Sequence, residues 1–456
     1  MRRKIHITDP AIYQLRRSQM KSIGQMLQPE FEHQLHRSNY LDSKTMSFGL
    51  VKKKLEGLPL RAFFVSKIYE YVNVAQPIPS PGNDVQVNSS EDENLKKELF
   101  QQYIFFTRQL PLIVEGIITI QYYSNQIFDS KGEVVNNKAS LDDNIKFMEN
   151  LTPTLYDYIL ENDIPERMQC RIIKSVKKIL HLGAAGQVLE DNLNTYEAWL
   201  SDDVPNPLTV KAEKFFDQEV LDFLMEAVRR RADFPESKLT FLKMYFKKIY
   251  LRNAALYGLM TELMLDYCEV ESEQRENLKK FATLFAIMHQ LVNDIGDLVP
   301  SNRELITMEK TNKDAFSDLR NNTLTLPTML HLLEDPDGLM ANILKNKITR
   351  LDNNEEENLL IGVTRSHSVF IAMSIGKDIQ KKAVSYLNPA NEHFELLVDM
   401  CRIAENNKYY RHFYDREQDY KSYRKRTRKF RLHQSPLPKN EDILSDSLVG
   451  VEDECV

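Results

Sequence analysis

Apolar residues recur at three- and four-residue steps through LTFLKMYFKKIYLRNAALYGLMTELMLDYC, residues 239–268. That is the period of an amphipathic helix, and it returns over most of the chain from about Leu95 to Asn406. No run alternates with the two-residue period of a half-buried strand closed by hairpin turns, and no internal repeat is visible. With 14 Gly and 18 Pro among 456 residues, little interrupts the helical pattern. The expectation is an all-α chain. A hydrophobic share of 42% allows a large core, and length alone is compatible with one, two or three domains.

Residues 1–50 read as a polar helical arm, followed by a helix over about Leu60–Val74. The stretch AQPIPSPGNDVQVNSSEDEN, 75–94, has the composition of a loop insertion. Breaks are expected near 130–140, 163–165 and 201–207, with Pro205 and Pro207 ending one helix and Pro235 marking a turn. Residues 51–410 then form one helical domain. The tail, 411–456, changes from basic (YKSYRKRTRKFRLH, 420–433) to acidic (441–456) and reads as partly disordered. Its basic stretch suits a solvated helix end, a weak contact with an anionic membrane surface, or a cationic flap over a phosphate.

A formal charge of −6 points to no nucleic-acid partner. Cys170, Cys268, Cys401 and Cys455 are far apart and lack metal-ligand spacing, so they read as reduced thiols. Cys455 is too close to the last residue for a prenylation box. The basic N-terminus lacks an apolar signal core, and no stretch reads as the roughly 20 apolar residues of a membrane span. A cytoplasmic protein is expected.

The chemistry concentrates in FAIMHQLVNDIGDLVPSNRELITMEKTNKDAFSDLRNNTLTLP, 285–327. Asn293, Asp294 and Asp297 interrupt an apolar helical run, although Asp is a poor residue for a helix interior. Their spacing puts their oxygens on one side of the helix. Grouped acids suit Mg²⁺, which needs one or two carboxylates together with phosphates and waters. Gln290, one turn before Asp294, is placed to orient a carboxylate. Lys313 and Arg320 follow and could balance a phosphate. An exposed polar helix face would account for the same spacing, so both readings stand at this level.

The order of these residues resembles the polyprenyl synthetase family, the trans-isoprenyl diphosphate synthases. Gln290 to Asp297 is similar to its second aspartate-rich motif, FQxxDDxxD. Asn312-Lys313 and Asp318 to Pro327 resemble its GK and DLxxGKxTLP. Arg252-Asn253-Ala254-Ala255-Leu256 stands where the family has KTAxL, and Gly186-Gln187 with Asp191 resembles GQxxD. Glu115 to Asp129 can be laid on ElIH…DDxxD, and Glu56 to Ala62 on GGKRLRP. Two other acidic stretches, Asp142-Asp143-Asn144 and Glu190 to Asn194, compete with Asn125 to Asp129 for the first aspartate-rich motif. Asn125 to Asp129 is preferred because Glu115 and Gly186-Gln187 then fall where the family has them.

The resemblance implies an isoprenoid synthase helical bundle around a central apolar cavity, with two acidic motifs facing each other across its mouth. It further implies Mg²⁺, an allylic prenyl diphosphate substrate, and a homodimer or a heterodimer with a related synthase. The implied metal ligands are Asp294, Asp297 and Asp129, with Asn125 and Asn293. Catalytic roles fall to Asp294, Asp297, Gln290 and Lys313, and diphosphate binding to Arg252, Lys313, Arg320 and Arg61. Tyr122 and Phe128 are candidate cavity aromatics, while His181 reads as structural.

The chain departs from the family in a consistent direction. Asp129 is the one acid left in the first motif, and Asn293 replaces the leading Asp of the second. Leu58, Pro59 and Ile118 stand where the family holds isopentenyl diphosphate with cations and a His, and no paired Arg follows Asp129. Three readings follow: a prenyltransferase, a cyclase-like enzyme using one diphosphate, and a non-catalytic subunit of a related synthase.

Overall fold

The computed structural model describes residues 10–37, 59–72, 97, 99–129, 141–162, 164, 166–193, 195–201, 216–268, 270–298, 316–348 and 350–405. Among these residues the regular elements are helices, and the extended pairing is one isolated antiparallel bridge between Thr195 and Thr323. The all-α expectation holds. The loop insertion at 75–94 and the tail at 411–456 lie outside the described residues.

In chain order the helices begin with α1 (Pro10–Arg37), α2 (Leu60–Val72), α3 (Leu110–Asp129), α4 (Leu141–Glu161), α5 (Glu166–Leu193) and α6 (Tyr196–Ser201). Next come α7 (Gln218–Arg229), α8 (Leu239–Ile249), α9 (Ala255–Tyr267), α10 (Ser272–Leu298) and the single turn α11 (Ser317–Arg320). The last are α12 (Leu326–Glu334), α13 (Leu339–Lys345), α14 (Asn353–Arg365), α15 (Ser368–Val384) and α16 (Phe394–Glu405). Two π-helical turns, Phe105–Gln109 and Tyr250–Ala254, sit directly before α3 and α9. The second joins α8 and α9 into one helix with a bulge, where the sequence pattern shows no break.

Helix ends follow local chemistry. Asp217 caps α7 by accepting from the Glu219 and Val220 amides, and Asp352 forms a capping box with Glu355 at the start of α14. The break at 163–165 separates α4 from α5, and α6 ends at Ser201, just ahead of Pro205 and Pro207.

Helix α10 is the centre of the packing. Every residue from Phe281 to Met288 is buried, so this stretch is covered on all sides, by α9, α12, α15 and α16 among others. Aromatic rings lock it to α2 and α9. Phe285 stacks on Phe64 at 4.8 Å and meets Tyr257 edge-on at 5.6 Å, while Phe64 meets Tyr257 at 4.9 Å. Such pairs add about 0.5–1.5 kcal/mol each beyond the area they bury.

Helix α1 is polar, as its composition predicts, yet it does not project as a free arm. Met20, Gly24 and Leu27 form a narrow buried stripe at three- and four-residue steps, and Arg16 pairs with Asp399 of α16 at 3.3 Å. One helical stretch, Leu99–Asn125, is long and apolar enough to cross a membrane, against the sequence expectation, and 72% of its most apolar window is buried inside the protein. Packing against α2 and α4 accounts for that apolarity.

Truncating the central ring tests this core. Phe285→Ala removes the ring contacts with Phe64 and Tyr257 in a filled interior and is expected to cost about 3–5 kcal/mol, read as a lower urea midpoint. An unchanged midpoint would mean that α10 is not the packing centre.

Candidate functional site

The polar residues of the site are carried by three helices that meet at the bulge. On α8 and the following π turn, Tyr245, Lys248 and Arg252 are three and four residues apart, so they share a face of an otherwise apolar helix. The bulge faces α5 at Gly186. A β-carbon there would come within 2.6 Å of Arg252 Cγ, 3.0 Å of Leu251 Cβ and 3.2 Å of the Arg252 backbone nitrogen. Only glycine permits that approach.

The close contact brings Glu190 of α5 between two cations. Its Oε1 accepts from Lys248 Nζ at 3.2 Å, and its Oε2 pairs with Arg252. Glu190 and Lys248 are both buried, at 9% and 5% exposure. Burial pushes the Lys248 ammonium below its ordinary pKa, and the carboxylates of Asp294 and Asp318 oppose that shift.

On the facing surface of α10 a chain of hydrogen bonds orders the second motif. Asn253 Nδ2 donates to Gln290 Oε1 at 2.9 Å, and Gln290 Nε2 donates to Asp294 Oδ1 at 2.7 Å. The Tyr245 hydroxyl donates to Asp294 Oδ2 at 2.8 Å. Burial and the neighbouring Asp294 charge hold the Tyr245 hydroxyl protonated, well above the ordinary tyrosine range. Asp294, at 2% exposure, is thus a buried carboxylate oriented by an amide and a phenol.

Asp297, equally buried, is used differently. Its Oδ1 accepts from the Ser317 amide at 3.1 Å and the Ser317 hydroxyl at 2.7 Å, and its Oδ2 accepts from the Asp318 amide at 3.0 Å. Its own carbonyl accepts from the Phe316 amide at 2.9 Å. The carboxylate satisfies the first amides of α11 and ties that turn to the end of α10. Asn322, where DLxxGKxTLP has glycine, has φ 57°, a conformation that Asn tolerates better than most side chains. The Lys position of that motif is Thr323, which pairs with Thr195. Glu197 of α6 accepts from Asn322 Nδ2 of the same turn at 2.7 Å and pairs with Lys347, just beyond α13, at 2.8 Å.

The sequence candidates therefore separate. Gln290, Asp294 and Arg252 lie in or beside the connected polar core, Asn293 is half-buried on α10, and Arg320 is half-buried on α11. Arg61 stands in another group, near Glu115 and Tyr257. There Glu115 Oε1 accepts from the Ala62 amide at 3.3 Å, and the Tyr257 hydroxyl is pushed up to about 12 by burial. Asn125 is half-buried at the end of α3, and Tyr122 packs edge-on to Tyr123 at 5.4 Å. His181 is exposed on α5. Lys313 lies outside the described residues, as do the side chains of Phe128 and Asp129. The described residues contain no group of three or more His, Cys, Asp or Glu placed to hold a metal.

One assignment needs correcting. In GQxxD the acid comes four residues after the glycine, which is Glu190 rather than Asp191. Glu190 is also the residue that meets Lys248 and Arg252, whereas the Asp191 side chain is outside the described ones. Tyr245 and Lys248 were not among the sequence candidates. The signal for them was present as polar groups spaced three and four residues before Arg252 on an apolar helix.

The polyprenyl synthetase family model matches residues 208–359. Over that segment the chain is similar to the polyprenyl synthetase family. The matched segment holds the bulge, the second aspartate-rich motif and the turn after it, and it omits the region of the first motif. Among solved structures, geranylgeranyl pyrophosphate synthetase from Pyrococcus horikoshii Ot3 is similar at a TM-score of 0.55 and 13% identity, over 87% of this chain and 98% of that one. Geranylgeranyl pyrophosphate synthase from Lactobacillus brevis ATCC 367 gives 0.54 and 14%, over 87% and 100%. Polyprenyl synthase from Caulobacter crescentus CB15, complexed with calcium and isoprenyl diphosphate, gives 0.53 and 14%, over 85% and 98%. At these identities the shared property is the all-α fold. No curated protein matches the chain.

Two substitutions probe the geometry. Asp297→Ala leaves the Ser317 and Asp318 amides without their acceptor and is expected to cost about 1–3 kcal/mol in urea unfolding, even with EDTA present. No loss under EDTA would remove the capping role. Gly186→Val should displace Arg252 from Glu190 and lower the melting temperature by several degrees; a wild-type melting curve would contradict the close approach.

Proposed function

We propose that this protein binds an allylic prenyl diphosphate and processes it with Mg²⁺, as a prenyltransferase of the polyprenyl synthetase type. The observation that carries the reading is the chain Asn253–Gln290–Asp294–Tyr245, which ties a second-motif carboxylate to the helix and π turn that carry the Lys248 and Arg252 cations. A carboxylate held by amide and phenol donors is the usual setting for a hard-cation ligand.

Asp294, a buried carboxylate oriented by Gln290 and Tyr245, would hold Mg²⁺, with Asn293 beside it and Asn125 and Asp129 as the opposing ligands. Asp297 serves mainly to hold the adjoining turn. Bound Mg²⁺ would supply the charge that stabilises a departing diphosphate. Arg252, Arg320 and Lys313 would pair its oxygens, with Arg61 as the residual cation of a second anion site. Gln290 fixes the Asp294 carboxylate, and the apolar helices around it exclude water from a carbocation. Loss of the other isopentenyl-site cations makes use of the allylic substrate alone a reasonable variant of the same chemistry. The protein would act in the cytoplasm as a homodimer or beside a related synthase.

A second reading, a non-catalytic partner subunit, draws on a specific observation. Glu190 is already neutralised by Lys248 and Arg252, and Asp297 by backbone donors. Acids and cations that satisfy one another need no ligand.

The test incubates the purified protein and Mg²⁺ with geranyl, farnesyl or geranylgeranyl diphosphate, each with and without isopentenyl diphosphate. Elongated products are expected only when both are present, and Asp294→Ala should reduce turnover by about 10²-fold or more. Hydrocarbon or alcohol from the allylic substrate alone would show a cyclase-like enzyme. No product in any mixture, with tight binding to a second synthase, would replace the proposal with the subunit reading.

A further inference from the structure

Lys248 is a lysine at 5% exposure in the middle of an amphipathic helix. Long cationic side chains normally keep their charged end in water. Its ammonium instead turns inward, 3.2 Å from Glu190 Oε1 and 5.4 Å from the centre of the Tyr245 ring. The hydroxyl of that ring holds Asp294 at 2.8 Å, and Asp318 lies within the turn that Asp297 fixes. One positive charge on α8 thus stands among carboxylates from α5, α10 and the segment after α10.

We propose that Lys248 is a built-in counter-cation, a covalently fixed charge that holds the Glu190 and Asp294 sides of the polar core together without a divalent ion between them. Buried carboxylates need a compensating positive charge, which an ammonium or a divalent ion can provide. An ammonium donates along three directions and is satisfied by separate acceptors. A divalent ion draws its oxygens inward to a tight shell. The spread of the acids, with no metal-competent group among the described residues, is what an ammonium-centred arrangement requires. Arg252, 21% exposed at its side chain, pairs with Glu190 Oε2, leaving Lys248 the more deeply buried of the two cations. Lys248 is in this sense a positioning residue. The proposal needs no turnover of a prenyl diphosphate, and its test reads only folding and metal binding, so its failure leaves the proposed function standing.

The test compares thermal melting of wild type, Lys248→Met and the double variant Lys248→Met/Glu190→Gln, each in EDTA and with MnCl₂. Lys248→Met should melt several degrees lower than wild type in EDTA and regain most of that loss with Mn²⁺. Its Mn²⁺ affinity, read by electron paramagnetic resonance, should exceed that of wild type by roughly tenfold or more, since an acidic site freed of its own cation attracts a metal more strongly. The double variant should recover part of that stability without metal, because it removes one of the buried carboxylates that Lys248 balances and leaves Glu190's share of the positive charge to Arg252. If Lys248→Met folds only when Mn²⁺ is present, the proposal is likewise supported. A Lys248→Met protein that matches wild type in EDTA, or one whose loss Mn²⁺ does not relieve, overturns it. A double variant no better than the single one does the same.

Discussion

Glu190 sits between Lys248 and Arg252 inside a helical protein, and much of the site's geometry follows from its need for matched charge. A carboxylate taken out of water must be paired, and both cations come from a single helix and the π turn that continues it. To meet them α5 has to approach that helix closely. Gly186 makes the approach possible, because any side chain there would collide with Arg252 and Leu251. Once the bulge is pressed against α5, Asn253 is left facing α10, where it donates to Gln290. π-Helical turns recur at functional sites for this reason: one added residue re-aims the side chains of a turn.

Helix α10 connects the apolar and polar parts of the molecule. Its middle, from Phe281 to Met288, is buried on all sides and held by the Phe64–Tyr257–Phe285 rings. Its last turns carry Gln290, Asp294 and Asp297, each with a different task. Gln290 passes a hydrogen bond from one helix to the next, Asp294 is the oriented carboxylate, and Asp297 anchors the following turn. A rigid apolar stem thus fixes where the polar end can sit, and the polar end meets groups that are themselves buried and constrained.

The second motif was legible because its residues lie within one helix and the turn after it, where spacing along the chain is also spacing in the fold. The helix break near 163–165 and the end of α6 at Ser201 were legible for a similar reason, since caps and prolines act locally. Other features were not. Asp297 reads as a ligand from spacing, yet its oxygens are held by amides some twenty residues onward. Counting along GQxxD gives Glu190 as the acid on α5, but not that its partners are Lys248 and Arg252. The apolar stretch Leu99–Asn125 is as hydrophobic as a membrane span, and only its burial shows which surfaces it meets. Polar helix α1 hides its docking stripe in three residues.

What the sequence by itself determined is the class of architecture and the location of the chemistry. A three-to-four-residue apolar period commits the chain to helices, and carboxylates within such a helix mark where burial must be compensated. What only the tertiary structure decided is which charge compensates which. Glu190, Lys248 and Asp294 fall on three helices far apart along the chain, and their partners depend on which helix faces approach and how closely. That choice is made by packing at Gly186 and around α10, through side-chain shapes whose fit no linear pattern records.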